Sequence, residues 1–346
     1  MAIIRSYVNG FELSDLTENL LLVPNVWGLS QQLGIFGTEG VSQETITLET
    51  LTKSFGLLED RIRGQRAMLN GDDTRKLQSF AIPHFPGDDY ITPRDLIGKR
   101  AYGQEGPERL DLVRARKLER IRASHAATLE AARMHTITTG TAYAPTGTVS
   151  YDWYAEFGQT RQTVSFELAT STTDLIAKIE EVVATIQDNA FTGSISGDIF
   201  ALCSPEFFSA LIAHPSLKEA YKYYASTPQI LRERLQATGF DARYREFSFG
   251  GVMFIEYRGG HQGVVGGAIT RYIPAGTAFF MPRSNGDEFV TYFAPADKFD
   301  LVGTTGQEAY AFEYADPKGE KITIETETNF LNILRRPQLI VKGTVA

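Results

Sequence analysis

The residues best suited to proton transfer or metal binding are the five histidines, His84, His125, His135, His214 and His261, and they are scattered along the chain. No two share the H-x-x-x-H spacing that sets a pair of imidazoles on one helix face. Each therefore reads as a surface residue or a satisfied core residue. Thr192-Gly-Ser-Ile-Ser-Gly197 approaches the G-x-S-x-G nucleophile turn but carries Ile195 where the serine must stand. Gly259-Gly-His-Gln-Gly263-Val-Val-Gly266-Gly267 is dense enough in glycine to suggest a phosphate cradle. It lacks the P-loop lysine and leads into no helix pattern, so it reads as a flexible loop. The acidic pairs Glu59-Asp60, Asp72-Asp73, Asp88-Asp89 and Glu180-Glu181 are sequence neighbours. Neighbours in a strand point to opposite faces, so these pairs build no two-carboxylate site by themselves. Cys203 is the single cysteine, which excludes an internal disulfide framework and a multi-cysteine zinc site. Its apolar surroundings predict an inert core thiol. No catalytic, cofactor-binding or metal-binding residue is expected.

The elements that would position any site have an unusual order. Residues 1–40 break short apolar clusters with Pro24, Gly28, Gly34, Gly37 and Gly40, which predicts an extended arm without a long helix. Too little apolar surface is local for the arm to fold alone, so it should lie across something else. An N-terminal strand pair tucked onto its own domain is the alternative. From Val41 to Pro93 the pattern is strand-like. Thr45-Ile46-Thr47-Leu48 alternates with period two, Asn70-Gly71-Asp72-Asp73 marks a turn midway, and Lys76 to Ile82 resumes extended character. A two-stranded ribbon of this length is marginal alone and should dock on another surface. Its basic residues Arg61, Arg63, Arg66, Arg75 and Lys76 are candidates for contact with a neighbouring molecule.

A long helix is predicted from Pro107, a residue suited to the first helical position. Leu110, Val113, Leu118, Ile121, His125 and Leu129 form its apolar stripe, and the run Thr136-Ile-Thr-Thr139 with Gly140 should end it. Leu118, Ile121 and Leu129 should pack on the chain's own sheet, with Arg114, Arg116 and Arg120 turned toward neighbours. A hairpin turning at Pro145-Thr-Gly147 and returning through Val149 to Tyr154 should follow. Beyond it the chain reads as α+β. Ser171-Thr-Thr-Asp174 caps a helix with Leu175, Ile176, Ile179, Val182, Val183 and Ile186 facing inward. Ile199–Cys203 is a buried strand and Ser204-Pro205 opens a helix. Hairpins turn at Gly250-Gly251 and at Asp316-Pro-Lys-Gly319.

Composition narrows the function. With 346 residues, 42% hydrophobic and 22% charged, the chain is an ordinary folded protein of one large domain or two modest ones. A net charge of -8 is opposite in sign to that of most proteins built to grip DNA. Between Arg94 and Arg133, however, ten basic residues face six acidic ones, so a nucleic-acid-binding protein of small oligomeric state stands as an alternative. A soluble enzyme is a second, without a site to stand on. The early apolar run Leu20–Val23 stops at Pro24, too short for a signal peptide or a membrane span, so the chain is expected to stay soluble in the cytoplasm.

Arm, ribbon, long helix and α+β body suit a protein whose first 140 residues contact other copies. At this point the chain resembles the lambda-like major capsid protein E family of tailed bacteriophages. The resemblance rests on Arg63-Gly64, Phe80-Ala-Ile-Pro-His84 and Tyr90-Ile-Thr-Pro-Arg-Asp-Leu-Ile97 in the ribbon region. Around the helix it rests on Arg100-Ala-Tyr-Gly-Gln-Glu105 and Thr128-Leu-Glu-Ala-Ala-Arg133. Tyr151-Asp-Trp-Tyr-Ala-Glu-Phe-Gly158, Phe293-Ala-Pro-Ala-Asp297 and Arg335-Arg-Pro-Gln-Leu-Ile-Val341 complete it. It implies the Hong Kong 97-type capsid fold, divided into an arm (1–40), an extended loop (41–95), spine helix and first peripheral part (96–189), axial domain (190–310) and peripheral return (311–346). It also implies a major capsid protein that assembles as pentamers and hexamers into the icosahedral shell around double-stranded DNA, with no enzymatic role and no cofactor. Expected partners are further copies of the chain, a portal, a decoration protein, and packaged DNA by weak contact, with no membrane. Because the arm starts at Met1, scaffolding is expected to be a separate protein. Assembly in the host bacterial cytoplasm and residence in the virion follow from the same resemblance.

Overall fold

A computed structural model describes residues 4–6, 12–15, 28–52, 74–96, 110–190, 198–224, 244–262, 269–283 and 287–346. In chain order the strands are β1 (Ile4–Ser6), β2 (Glu12–Asp15), β3 (Gly37–Gly40), β4 (Thr45–Thr52), β5 (Thr74–Ala81), β6 (His84–Pro86), β7 (Asp89–Ile91), β8 (Gln162–Ser165), β9 (Ile199–Cys203), β10 (Arg245–Phe249), β11 (Val252–Glu256), β12 (Gly260–Gln262), β13 (Ile269–Arg271), β14 (Thr277–Pro282), β15 (Phe289–Phe293), β16 (Tyr310–Ala315), β17 (Ile322–Leu334) and β18 (Val341–Thr344). The helices are α1 (Leu29–Gln32), α2 (Leu110–Thr139), α3 (Trp153–Glu156), α4 (Leu175–Asp188), α5 (Pro205–Ala213) and α6 (Pro215–Tyr224).

Two large sheets dominate the described residues, beside the two-stranded pairs β4–β5 and β12–β13. One is ordered β1-β2-β16-β17-β15-β3, with β6 and β7 also paired to the long strand β17; the other is ordered β10-β11-β9-β14-β18-β8. The α+β class is as expected, but the strands do not follow the division at residues 190 and 310. β8 and β18, placed by sequence with the peripheral parts, close the sheet built from β9, β11 and β14. β15, placed with the axial domain, pairs with β17 and β3. The physical reason is burial. β9, β14 and β15 are buried at every residue, and such strands need neighbours on both edges regardless of sequence distance.

The helix α2 joins the sheets. Its first half uses the expected stripe, with Val113, Leu118 and Ile121 packed against Ile91, Ala309, Ala311 and Ile324. Its second half is enclosed: Leu129, Glu130, Ala132, Arg133, Met134 and residues 136–138 are all buried. The run 136–139 extends the helix rather than ending it. The hydroxyls of Thr136 and Thr139 donate to the carbonyls of Ala132 (2.9 Å) and His135 (2.7 Å), which satisfies them within the helix. Gly140 ends it with φ +80°, and a Cβ there would sit 2.4 Å from the Tyr154 ring. The expected helix start at Pro107 lies outside the described residues.

Several other expectations are corrected. The described part of the arm packs on its own chain: β1 and β2 pair and extend to β16, and β3 runs parallel to β15. The tucked strand pair is therefore what forms, because β16 and β15 offer it open edges. Beyond the Gly147 turn the chain does not return as a strand to Tyr154. Asp152 accepts hydrogen bonds from the Tyr154 and Ala155 amides, opening α3 at Trp153. Asp174, not Ser171, caps α4 in the same way, and the face it sets leaves Ile176 exposed and Val183 half-buried. Gly260–Gln262 is a strand paired with β13 rather than a flexible loop. The Gly250-Gly251 hairpin (φ +60° and +76°), the Asp316–Gly319 hairpin and the Ser204-capped helix form as read.

The face assignment of α2 gives a direct test. Ile121→Asp should destabilise the subunit by at least about 3 kcal/mol, because an unpaired charge enters an apolar cluster. Arg116→Ala should stay within about 0.5 kcal/mol. Urea denaturation of both variants checks the ranking.

Candidate assembly interface

The candidate contact residues lie on two projecting elements, the ribbon and the spine helix. Arg61, Arg63, Arg66 and the Asn70–Asp73 turn lie outside the described residues. The described ribbon pairs β4 with β5 in register from Thr45↔Ala81 to Thr52↔Thr74. One face carries Ile46, Leu48, Lys76, Gln78 and Phe80, and it docks on the chain itself. The Phe80 ring lies 5.1 Å from Tyr151 and 5.3 Å from Trp153, edge-on to both. The Tyr151 hydroxyl accepts the Ala81 amide at 3.0 Å. Gln78 Nε2 donates to the Glu156 carboxylate (2.8 Å) and Lys76 Nζ to the Glu156 carbonyl (3.0 Å).

Lys76 is thus a clamp within its own subunit. Arg75 points to the opposite face and pairs with Glu49 at 3.5 Å, both well exposed. Nor does the excursion run on to Pro93, since β6 and β7 return to pair with β17. The outer ribbon face, with Thr47, Glu49, Arg75 and an exposed Leu77, is what remains for another molecule.

The spine arginines divide in the same manner. Arg114 bridges to Glu313 (2.6 Å) and Asp111 (3.3 Å), so it fastens the helix to β16 rather than reaching outward. Arg120 (2.6 Å) and Lys117 (2.9 Å) converge on Asp89. Burial raises the Asp89 carboxyl, yet the Lys117 hydrogen bond, the Tyr90 amide and the two cationic charges together hold it below its usual range. Arg116 Nε donates to the Leu112 carbonyl at 3.4 Å and its side chain stays at the surface.

Glu130 and Arg133, which the sequence offers only as two of the charges between residues 94 and 133, are both buried. Glu130 is 2% exposed and accepts from the Ser30 amide (3.2 Å), the Ser30 hydroxyl and the Tyr257 hydroxyl (2.9 Å). Arg133 donates through Nε to Thr291 Oγ1 (3.2 Å), which donates to Asn332 Oδ1 (2.8 Å), and its guanidinium lies 5.6 Å over the Phe36 ring. Burial lowers the Arg133 pKa while the charges of Glu130 and Glu308 raise it against that. The only hint in the sequence is the three-residue spacing of opposite charges on an enclosed half of the helix.

The remaining titratable groups are also committed to structure. An open groove of about 430 Å³ between residues 83–89, α2 and residues 144–148 is lined by His84, His125, Asp89 and Arg120. His84 meets Asn329 at 2.7 Å, and His125 is hydrogen-bonded to Thr326 at 2.8 Å. Burial pushes the Cys203 thiol well up. Among the described residues no three His, Cys, Asp or Glu side chains converge on a metal position, and no helix is long and apolar enough to cross a membrane.

Comparison with known proteins accords with this distribution of contacts. The phage major capsid protein E family matches residues 12–345, and the chain belongs to that family. It is 60% identical over 348 residues to the major capsid protein of Pseudomonas phage KPP10, covering 99% of each chain. To that of Salmonella phage Felix O1 it is 30% identical over 352 residues, covering 96% of this chain and 95% of the other. The fold is similar to the mature capsid of bacteriophage PhiM1 (TM-score 0.52, 14% identity, 89% and 84% coverage) and to the capsid of Myoviridae phage XM1 (TM-score 0.52, 12% identity, 94% of each). These neighbours bear out the Hong Kong 97-type capsid fold.

Two predictions follow from the geometry. Phe80→Ala should cost about 3–5 kcal/mol, as a core residue does, whereas Leu77→Ser on the outer face should stay within about 0.5 kcal/mol; equilibrium unfolding separates them. Burial lowers the His125 pKa to about 4 from an ordinary 6.5, so the folded state favours the neutral ring. The unfolded chain then binds more protons between these values. Stability is complete above about pH 6.5 and falls as pH drops toward 4, by about 3 kcal/mol in all. The melting temperature of His125→Asn should fall less steeply than wild type across that window.

Proposed function

We propose that the chain is the shell subunit of a phage head, associating with its own copies as pentamers and hexamers into an icosahedral container for double-stranded DNA. The observation that carries this reading is the 60% identity to a major capsid protein over 99% of both chains. The committed side chains support it, since among the described residues His125, Asp89 and Glu130 hold elements of the subunit together. The eight-stranded sheet with α2 would be the peripheral part and the six-stranded sheet the axial part. The outer ribbon face, with Arg75 and Leu77, would lie over an adjacent subunit, and Arg61, Arg63 and Arg66 would be further contacts to it, where exposed pairs set register more than affinity. A separate scaffolding protein, a portal and a decoration protein would be the further partners, with DNA touched weakly inside the virion. In this reading the subunit catalyses nothing, and assembly takes place in the host cytoplasm.

Replacing residues 53–73 by a tight turn keeps the clamp between β4–β5 and α3 and removes the reach of the ribbon. Negative-stain microscopy should show shells for the wild type and only small rings or monomers for the shortened chain, with unchanged circular dichroism. Normal shells from the shortened chain would refute the role given to the ribbon. A wild type confined to small oligomers with a reproducible turnover would refute the shell reading itself.

A further inference from the structure

A preorganised apolar knob stands on the face of the eight-stranded sheet opposite α2. Ile324 and Thr326 of β17 face the helix, while Glu325 between them faces the loop 296–306 through Lys298 (2.6 Å). In that loop Leu301 turns inward onto Ala296, Tyr310 and Phe312. Phe299 and Val302 on either side turn outward, 93% and 77% exposed. The loop is held in this posture. Lys298 lies over the Phe312 and Tyr314 rings, Thr304 donates to the Leu301 carbonyl from both its amide and its hydroxyl, and the Gly306 amide donates to the Val41 carbonyl at 2.9 Å. Phe299 cannot turn inward without breaking these bonds. A large apolar side chain fixed in water is ready to be covered at little further entropic cost.

The charge around the knob indicates its cover. Asp297 and Asp300 flank it, both exposed. The first half of α2 presents the complement, with Leu112, Arg116 and Arg120 four residues apart on one exposed face, Arg120 also bridging to Asp89 of its own chain while its side chain stays exposed. Knob and ridge lie on opposite faces of the same sheet, so they cannot meet within one chain but can meet between successive copies. Contacts of this head-to-tail kind close into rings when the rotation between copies permits. Resting on the shell reading above, we propose that Phe299 and Val302 of one subunit dock on the Leu112–Arg116–Arg120 ridge of the next, with Asp297 and Asp300 facing the arginines.

The buried Cys203 leaves a clean background for cross-linking. A chain carrying Leu112→Cys and Phe299→Cys is purified, assembled, treated with a short bis-maleimide and resolved on a denaturing gel. The proposal expects a ladder of covalent oligomers, only dimers from an equal mixture of the two single variants, and no product from Leu77→Cys with Phe299→Cys. Dimers from Phe299→Cys alone would mean a two-fold contact and overturn it. Intact shells without a ladder would overturn the contact and leave the shell reading standing. Small species without cross-links would overturn both, and a ladder in small species would uphold the contact while removing the shell.

Discussion

One buried carboxylate holds the two halves of the subunit to a single helix. Glu130 is enclosed where α2 passes between the sheets, and its three hydrogen bonds reach Ser30 before β3 and Tyr257 after β11. One turn later Arg133 reaches Thr291 on β15 and, through it, Asn332 on β17. A polar group this deep is tolerated only when its hydrogen-bonding capacity is met, so each partner is constrained by the same group. The sheets, the N-terminal segment and the helix are thereby set at fixed positions. The ribbon and the knob then project from a rigid body.

That economy accounts for the groups suited to chemistry that, among the described residues, are bound to structural partners. Asp89, His84, His125 and Glu256 each sit where a reactive residue could sit, and each is bound to a structural partner. Glu256, buried between Arg245 and Arg258, has its carboxyl raised by burial but brought below the usual range by the two guanidinium groups. Polar residues here serve to fix geometry, which a subunit repeated many times in one shell needs more than it needs reactivity.

Local structure was legible where one physical rule acts alone. The β9 strand followed by the Ser204-Pro205 helix start, and the Gly-Gly turn that needs two positive φ values, could be read from a few residues. So could the outline of the ribbon and the stripe on the first half of α2. The rest depended on long-range pairing. Nothing near Glu130 in sequence reveals that Tyr257 will face it. Thr136–Thr139 suggested a helix end because β-branched propensity is weak, and burial overrode it. No local pattern shows that β8 and β18 complete a sheet whose other strands come from residues 199–282. Lys76 and Arg114 make contacts within their own chain that the sequence did not name, since sequence cannot distinguish a neighbour within the chain from one outside it. The motif residues behind the family resemblance, among them Phe80 and Trp153, prove to be packing residues of the ribbon clamp.

The central claim is that the subunit is one rigid body that functions by covering its outer surfaces with further copies of itself. Hydrogen exchange measured on free subunits and on assembled particles tests it most directly. The account predicts equal, slow exchange in both states for β9, β17 and residues 118–139, with protection gained on assembly at the outer ribbon face and around residues 297–303. Large protection gained in the core strands, with none at those surfaces, would contradict it and show that assembly folds the subunit rather than covering it.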